Sequence, residues 1–446
     1  MKQSAPKKKT ASRMSFRRPK IGGSKPKLAI IGSGIAGLGC AHFLKNEFRL
    51  TIFEKGDYIG GHSNTVMVGE DGDSIPIDTG FIVFNHVTYP NLKRLFEDLN
   101  VPTKKTSMSF SVQHVPERLE FCGSGMNGLF AQRKNLINFR FLRLLLNINR
   151  FNSEAPAILS NPKYMDYSLG RYVREEGYHP DILRYYLVPM SSAVWSTPEE
   201  RMLEFPAYSL VRFFLNHGFL GLNTQHQWYT VDGGSKEYVK RLTAPIKEAF
   251  RLKTPVLGVE PAAGGKVKVI LKGGKTETFD KVILASHADT SLELLKKPTS
   301  LQKELLSQFS YQKNIATLHT DDSVMPKTKS TWSSWNYRMD SVDGTIRPHT
   351  IYWMNSLQDV SKKRNYYVSI GDPGKVSSKK IIREIEYEHP LFHVGSLKAQ
   401  QRLSTLNQGG GSIYFCGSYF RYGFHEDAFW SAKILSEVLL GRKIWD

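Results

Sequence analysis

Apolar residues near the start of the chain come in short unbroken runs separated by glycine. Leu28-Ala29-Ile30-Ile31, entered from Lys27, has the continuous β-branched character of a strand buried on both faces. Gly32-Ser33-Gly34-Ile35-Ala36-Gly37 follows at once, and Leu38–Lys45 then reads as a helix. Arg49–Phe53 is a second buried run and ends on Glu54. Further along, Tyr89–Leu99 has helical apolar spacing, and Ala131–Phe151 predicts a longer helix with Arg133, Lys134, Arg140, Arg143 and Arg150 among dense apolar residues. Leu252–Val256 and Lys266–Leu271 alternate like antiparallel strands, with Gly273-Gly274 suited to a tight hairpin turn. Asp280–Ser286 predicts another buried parallel strand. The last third closes with a strand over Ile413–Tyr419, a glycine-rich turn at 423–428 and a helix from Phe429 to Leu440.

Strand, glycine turn, helix, strand, acid is the order of a Rossmann-type α/β unit. Gly32 permits the tight turn out of the strand. Gly34 leaves backbone bare for a pyrophosphate, and Gly37 lets the helix pack closely on the sheet. The helix N-terminus presents N–H groups and a partial positive charge to the phosphates, and Ser33, Ile35 and Ala36 of the turn are expected cofactor contacts. Glu54 follows Gly32 at the distance where a carboxylate meets ribose hydroxyls, and it would repel a 2′-phosphate. These features require a dinucleotide and do not say which one.

Gly60-Gly61, just beyond Glu54-Lys55, supplies a second bare backbone surface, which argues for FAD over NAD. In this order the segment resembles the flavin-containing amine oxidase and phytoene-desaturase superfamily. Many of its members carry Arg after the Gly-Gly, whereas this chain has His62. A subgroup is similar over about residues 27–440: predicted NAD/FAD-binding proteins often encoded beside cyclopropane-fatty-acyl-phospholipid synthases. The matching stretches are Gly60-Gly61-His62, Ile77–Asn85, Gly233–Tyr238, Trp332–Tyr337 and Gly423–Asp427. The resemblance implies an FAD fold with cofactor contacts at Lys55, Gly80 and Phe81. It also places Val256 beside the adenine, and Gly417, Phe424, His425 and Glu426 at a second glycine turn. Tyr419 and Tyr422, flanking that turn, are expected to line the substrate pocket. His62 either hydrogen-bonds the cofactor or is covalently linked to it. Glu426 and Asp427 have an alternative use as caps of their own helix.

The chain has 446 residues, too many for one core. The expected division is a basic tail over 1–26, an FAD-binding domain from 27–85, 226–290 and 405–446, and a substrate domain from 86–225 and 291–404. Of the 61 Lys and Arg, ten lie in residues 1–27, which hold no acid, so half of the net charge of +20 lies there. Such a tail reads as solvated, with organelle targeting and attraction to anionic lipid left open. No recognition motif accompanies the charge, so nucleic acid is not an expected partner. Cys40, Cys122 and Cys416 form no CxxC pair, and neither a metal site nor a dithiol centre is expected. No apolar run is long enough to span a bilayer, so the expected location is cytoplasmic, with peripheral membrane contact open.

No catalytic residue is nominated by spacing, because flavin itself carries the hydride chemistry. The expected activity is dehydrogenation of a C–C or C–N bond in an apolar, lipid-like small molecule. A carotenoid- or isoprenoid-type desaturase or isomerase is one alternative. A flavoprotein that only assists a lipid-modifying enzyme is the other.

Overall fold

A computed structural model describes residues 24–221 and 224–445. The basic tail expected over 1–26 lies, up to residue 23, outside the described residues. Lys27–Ile31 forms a strand with its four apolar residues buried. Arg49–Phe53 pairs with it in parallel, from Lys27↔Arg49 to Ile31↔Phe53. Lys281–Leu284 lies on its other side, followed by Ile413–Phe415, and Phe250–Arg251 edges the far end. The result is a five-stranded parallel sheet in the order 250–251, 49–53, 27–31, 281–284, 413–415. Its strands come from distant stretches of the chain.

Two helices pack together beside this sheet. Ile35–Leu44 is apolar almost all round and buried at eight of its ten residues, as a fully covered helix must be. It crosses the C-terminal helix His425–Leu440 at Gly39, where a Cβ would come within 2.9 Å of Ala432 and Phe429. The thiols of Cys40 and Cys416 meet there at 3.6 Å, both fully buried. Cysteines far apart in sequence are thus neighbours in space.

A seven-stranded sheet forms the second layer, in the order 381–391, 310–319, 367–370, 345–353, 335–342, 110–114, 119–122. It is antiparallel except where Trp335–Val342 runs parallel to Phe110–His114. Helices between residues 125 and 216 cover it. A small sheet joins the layers: Trp228–Val231 pairs with both Phe84–Asn85 and Thr103–Thr106. It crosses the division drawn at 85/86. Among the described residues, no helix is long and apolar enough to cross a membrane.

Several elements differ from expectation, among them the last helix, which begins at His425 rather than Phe429, and the strand before it, which ends at Phe415 rather than Tyr419. The first helix begins at Ile35, so Gly37 lies inside it. Leu252–Pro255 is not a strand, because Lys253 and Thr254 donate their N–H groups to the carbonyls of Gly56 and Glu54; the strand starts at Val256. The helix expected over 131–151 is broken: Arg133–Ile137 is a 3₁₀ turn, and Phe139–Glu154 is a separate α-helix. Asn138 causes the break by accepting the Phe141 N–H at 3.2 Å, a side-chain cap that starts a new helix.

Candidate functional site: a glycine cradle beside a histidine cluster

The turn between the first strand and helix is fixed by close approaches. Gly32 has φ +107°, and a Cβ there would lie 2.7 Å from the carbonyl oxygen of Ala285. A Cβ on Gly37 would sit 2.0 Å from the Gly32 carbonyl oxygen. Gly34 is different, since a Cβ there would meet nothing within 4 Å. Gly32 and Gly37 therefore serve the backbone, while Gly34 borders open space. Gly34 is also the N-cap of Ile35–Leu44, and no side chain among the described residues caps that helix. An anion at this end would meet the N–H groups and the positive end of the dipole.

Gly60-Gly61 lies directly against this turn. The Gly60 N–H donates to the Ser33 carbonyl at 3.1 Å, and a Cβ on Gly61 would come within 3.1 Å of the Gly34 Cα. Glu54 sits below, its Oε2 accepting from the Ser33 N–H (3.0 Å) and hydroxyl (2.6 Å) and its Oε1 from the Gly56 N–H (2.8 Å). Lys55 is exposed beside it. The bond between Thr254 and the Glu54 carbonyl brings the chain leading to Val256 alongside the same carboxylate. Bare backbone, an uncapped helix start and an anchored acid form a donor and acceptor set that fits the diphosphate and ribose of a dinucleotide.

The Gly80-Phe81 stretch packs on the same loop. A Cβ on Gly80 would lie 2.2 Å from the His62 carbonyl oxygen, which accepts the Phe81 N–H at 2.8 Å. The His62 ring stacks on Tyr387 at 5.0 Å and meets His389 edge-on at 5.5 Å. His425, at the start of the last helix, stacks on Phe81 at 4.0 Å. Its Nε2 lies 2.7 Å from the Tyr238 hydroxyl and 3.2 Å from the Ser63 hydroxyl, and these two hydroxyls also bond to each other. Burial pushes His62 and His287 down to about 4, and His389 and His425 down to about 3. All four imidazoles are neutral at pH 7. The cluster next to the cradle is therefore aromatic with neutral imidazoles, and the Glu388 carboxylate lies at its edge, 3.3 Å from His287 Nδ1.

Other expected residues lie elsewhere. Both carboxylate oxygens of Glu426 accept from Asn91 and Leu92, at 2.6–3.1 Å, so it caps the neighbouring helix Pro90–Asp98. Neither the cofactor contact nor the own-helix cap expected for Glu426 is what its bonds describe. Asp427 does cap its own helix, through the Phe424 N–H at 2.9 Å. Phe424 stacks on Phe213, and the Gly417 N–H donates to Ser431. Tyr419 is buried with its ring against Gly417 and Phe309, outside the His62–His425 group. Tyr422 is half-buried, and its carbonyl accepts from the Trp195 indole.

Asp78 lies in the stretch Ile77–Asn85, at the end of the hairpin. Its buried carboxylate accepts from the Thr65 hydroxyl (2.6 Å), the Ser235 N–H and hydroxyl, and the Gln358 amide (2.8 Å). It thereby ties the hairpin 65–78 to the helix Lys236–Thr243 and to the second layer. Burial raises its pKa against the pull of those donors. Asp78→Ala leaves several buried donors unpaired, so urea unfolding should show a loss of roughly 3 kcal/mol.

Comparison with known proteins agrees with this geometry. The sequence pattern of flavin containing amine oxidoreductases matches residues 35–343. The 15-cis-phytoene desaturase of Arabidopsis thaliana is 26% identical over 315 residues, 65% of this chain and 52% of that protein. Probable polyamine oxidase 4 of the same plant is 24% identical over 266 residues, 58% of this chain and 50% of that protein. The chain thus spans about half the length of these curated relatives. Putrescine oxidase bound to putrescine superposes with a TM-score of 0.66 at 14% identity, over 94% of this chain and all of the other. At that identity the likeness is one of fold. The chain's cofactor is FAD, and the chain belongs to the flavin-containing amine oxidoreductase family.

Proposed function

We propose that the protein is an FAD-dependent oxidoreductase that removes two hydrogens from a C–C or C–N bond of an apolar, lipid-like small molecule. Bound in the cradle, FAD would accept a hydride at N5. The observation that carries the substrate class is the uncharged cluster of His62, Phe81, Tyr238, Tyr387, His389 and His425 beside the glycine elements. An ammonium group brought there would lose its water without gaining a carboxylate from those side chains, whereas an acyl or isoprenoid chain carries no such cost. The Tyr238 hydroxyl and the His425 ring hold each other in place and keep a proton within reach of the cradle. Gly34, Ser33 and the helix start would hold the diphosphate, and Glu54 the ribose. His62 contributes through its carbonyl and its stacked ring, as a non-covalent neighbour of the cofactor.

Relatives of both kinds exist: the phytoene desaturase already named, and a fatty acid isomerase from P. acnes that superposes with a TM-score of 0.64 at 13% identity over 92% of this chain and 98% of its own. The test is anaerobic bleaching of the bound flavin against acyl phospholipids, carotenoid precursors and polyamines. Bleaching by an acyl or isoprenoid substrate is expected. Bleaching by polyamines alone would sink the apolar assignment, and a flavin reduced by none of them would point to a non-catalytic partner of a lipid-modifying enzyme. Acid precipitation should release all of the yellow colour; retention would show a covalent link.

A further inference from the structure

The four most exposed large apolar side chains among the described residues fall in one short stretch: Phe139 (87%), Ile137 (80%), Leu146 (71%) and Met126 (67%). Leu136 is exposed beside them. The break at Asn138 produces this. It ends the 3₁₀ turn with Leu136 and Ile137 facing out and starts the next helix with Phe139 facing out. Phe139 and Leu146 are seven residues apart and share a helix face, with Arg143 between them. The opposite face buries Phe141, Leu144 and Phe151. Phe141 packs edge-on against Phe121 and Phe130, which sets the short helix Gly125–Leu129, and Met126 on it, alongside.

Charge is one-sided here. No acidic residue occurs between Phe121 and Ser153, and Arg133, Lys134, Arg140, Arg143 and Arg150 do. Arg140 is paired by Glu117 and Asp181, and Arg143 by Asp181 at 3.6 Å. Arg150 is paired by Glu154. Arg133 and Lys134 donate only to the carbonyls of Phe130 and Arg118. Beneath the turn is a cavity of about 460 Å³ lined by Arg118, Lys134, Asn135 and Arg140, and by Glu117 and Asp181, the two carboxylates that pair Arg140. Asn135 is fully buried, and neither atom of its side-chain amide has a hydrogen-bond partner. An apolar rim with the unpaired cations Arg133 and Lys134 beside it matches the order of an anionic phospholipid surface, acyl chains innermost and headgroup phosphates outside them.

We propose that this face docks on an anionic lipid bilayer. Met126, Leu136, Ile137, Phe139 and Leu146 enter the acyl boundary, and Arg133 and Lys134 meet headgroup phosphates. The proposal stands apart from the redox reading, and its test involves no turnover. The full-length holoprotein is co-sedimented with vesicles of phosphatidylcholine alone or mixed with phosphatidylglycerol, alongside Ile137→Glu/Phe139→Glu and Arg133→Glu/Lys134→Glu. All four positions are exposed, so thermal unfolding should be unchanged in both variants. The first variant should lower the partition coefficient by about tenfold or more. The second should remove most of the preference for phosphatidylglycerol, and salt should weaken binding of the parent protein. Binding to mixed vesicles that is equal in parent and Ile137→Glu/Phe139→Glu would overturn the proposal, since the basic residues 1–27 would then account for it. So would a parent that binds no vesicles and elutes as a dimer dissolved by the same substitutions, because the occupant would then be a second copy of the chain.

Discussion

Replacing Gly34 by Val should strip the protein of flavin and leave it folded. Gly34 has φ −70°, which any residue adopts, and its Cβ would project into open space, so the backbone tolerates a side chain. In the proposed site that space receives the diphosphate at the helix start, and an isopropyl group would hold it away from the N–H groups. Loss of those charge-assisted bonds should weaken retention by at least ~100-fold, at about 1.5–3 kcal/mol for each bond. Gly37→Val is the opposite case. Its Cβ would meet the Gly32 carbonyl oxygen at 2.0 Å, so strand and helix must separate and the protein should fail to fold. The ratio of absorbance at 450 and 280 nm, read beside thermal unfolding, separates the two. A Gly34→Val protein that keeps its full yellow colour would remove the diphosphate from this cradle.

Acid should unfold the protein well above the pH at which carboxylates titrate. Burial holds His42, His62, His217, His287, His319 and His349 near 4, and His389 and His425 near 3, against 6.5 for a free imidazole. Between pH 6.5 and 4 the unfolded chain therefore binds more protons than the native one. The stability these residues give is complete above pH 6.5 and falls as the pH drops through that window. Full protonation would cost about 3 kcal/mol for each group held near 4 and about 5 kcal/mol for each held near 3, and a fraction of the sum exceeds the usual margin of about 5–15 kcal/mol. Asp427, pushed up to about 7, works in the other direction: protonation below pH 7 relieves a buried charge. Asp78, Glu199, Asp289 and Glu426 are raised by burial too, and these five carboxyls are outnumbered by the eight imidazoles. The melting temperature should fall by at least ~10 °C between pH 7 and 5. A flat profile over that range would mean that the imidazoles are solvated.

The strands at 27–31 and 49–53 were legible to the residue, because an unbroken apolar run flanked by charge or glycine has one register in a parallel sheet. The helix after them was read three residues late, since a glycine at 37 looks like a turn until its packing on Gly32 is seen. The run 131–151 kept helical periodicity across a break, although Asn138 before Phe139 carried the capping signal. The cradle was legible because its chemistry is local in sequence. The cluster beside it was not. Ser63, Tyr238 and His425 are hundreds of residues apart, and no spacing rule joins them. Asp78 was hidden for the same reason. Glu426 was misleading in a different way: an acid at a helix start reads as a cap for that helix, whereas tertiary packing offered it the N-terminus of another.

The order of strands in the parallel sheet also constrains how the molecule is made. Lys27–Ile31 and Arg49–Phe53 can meet early in synthesis, but the other neighbour of Lys27–Ile31 is Lys281–Leu284, and the edge strand is Ile413–Phe415. The nascent chain must therefore carry an unpaired hydrophobic strand edge through some 230 residues of translation. Long-range parallel pairing of this kind is slow and exposed to aggregation. The C-terminal helix that covers Ile35–Leu44 arrives last of all. A ribosome-bound chain shorter than about 425 residues should thus engage chaperones rather than flavin, and cofactor capture should be among the final steps of maturation.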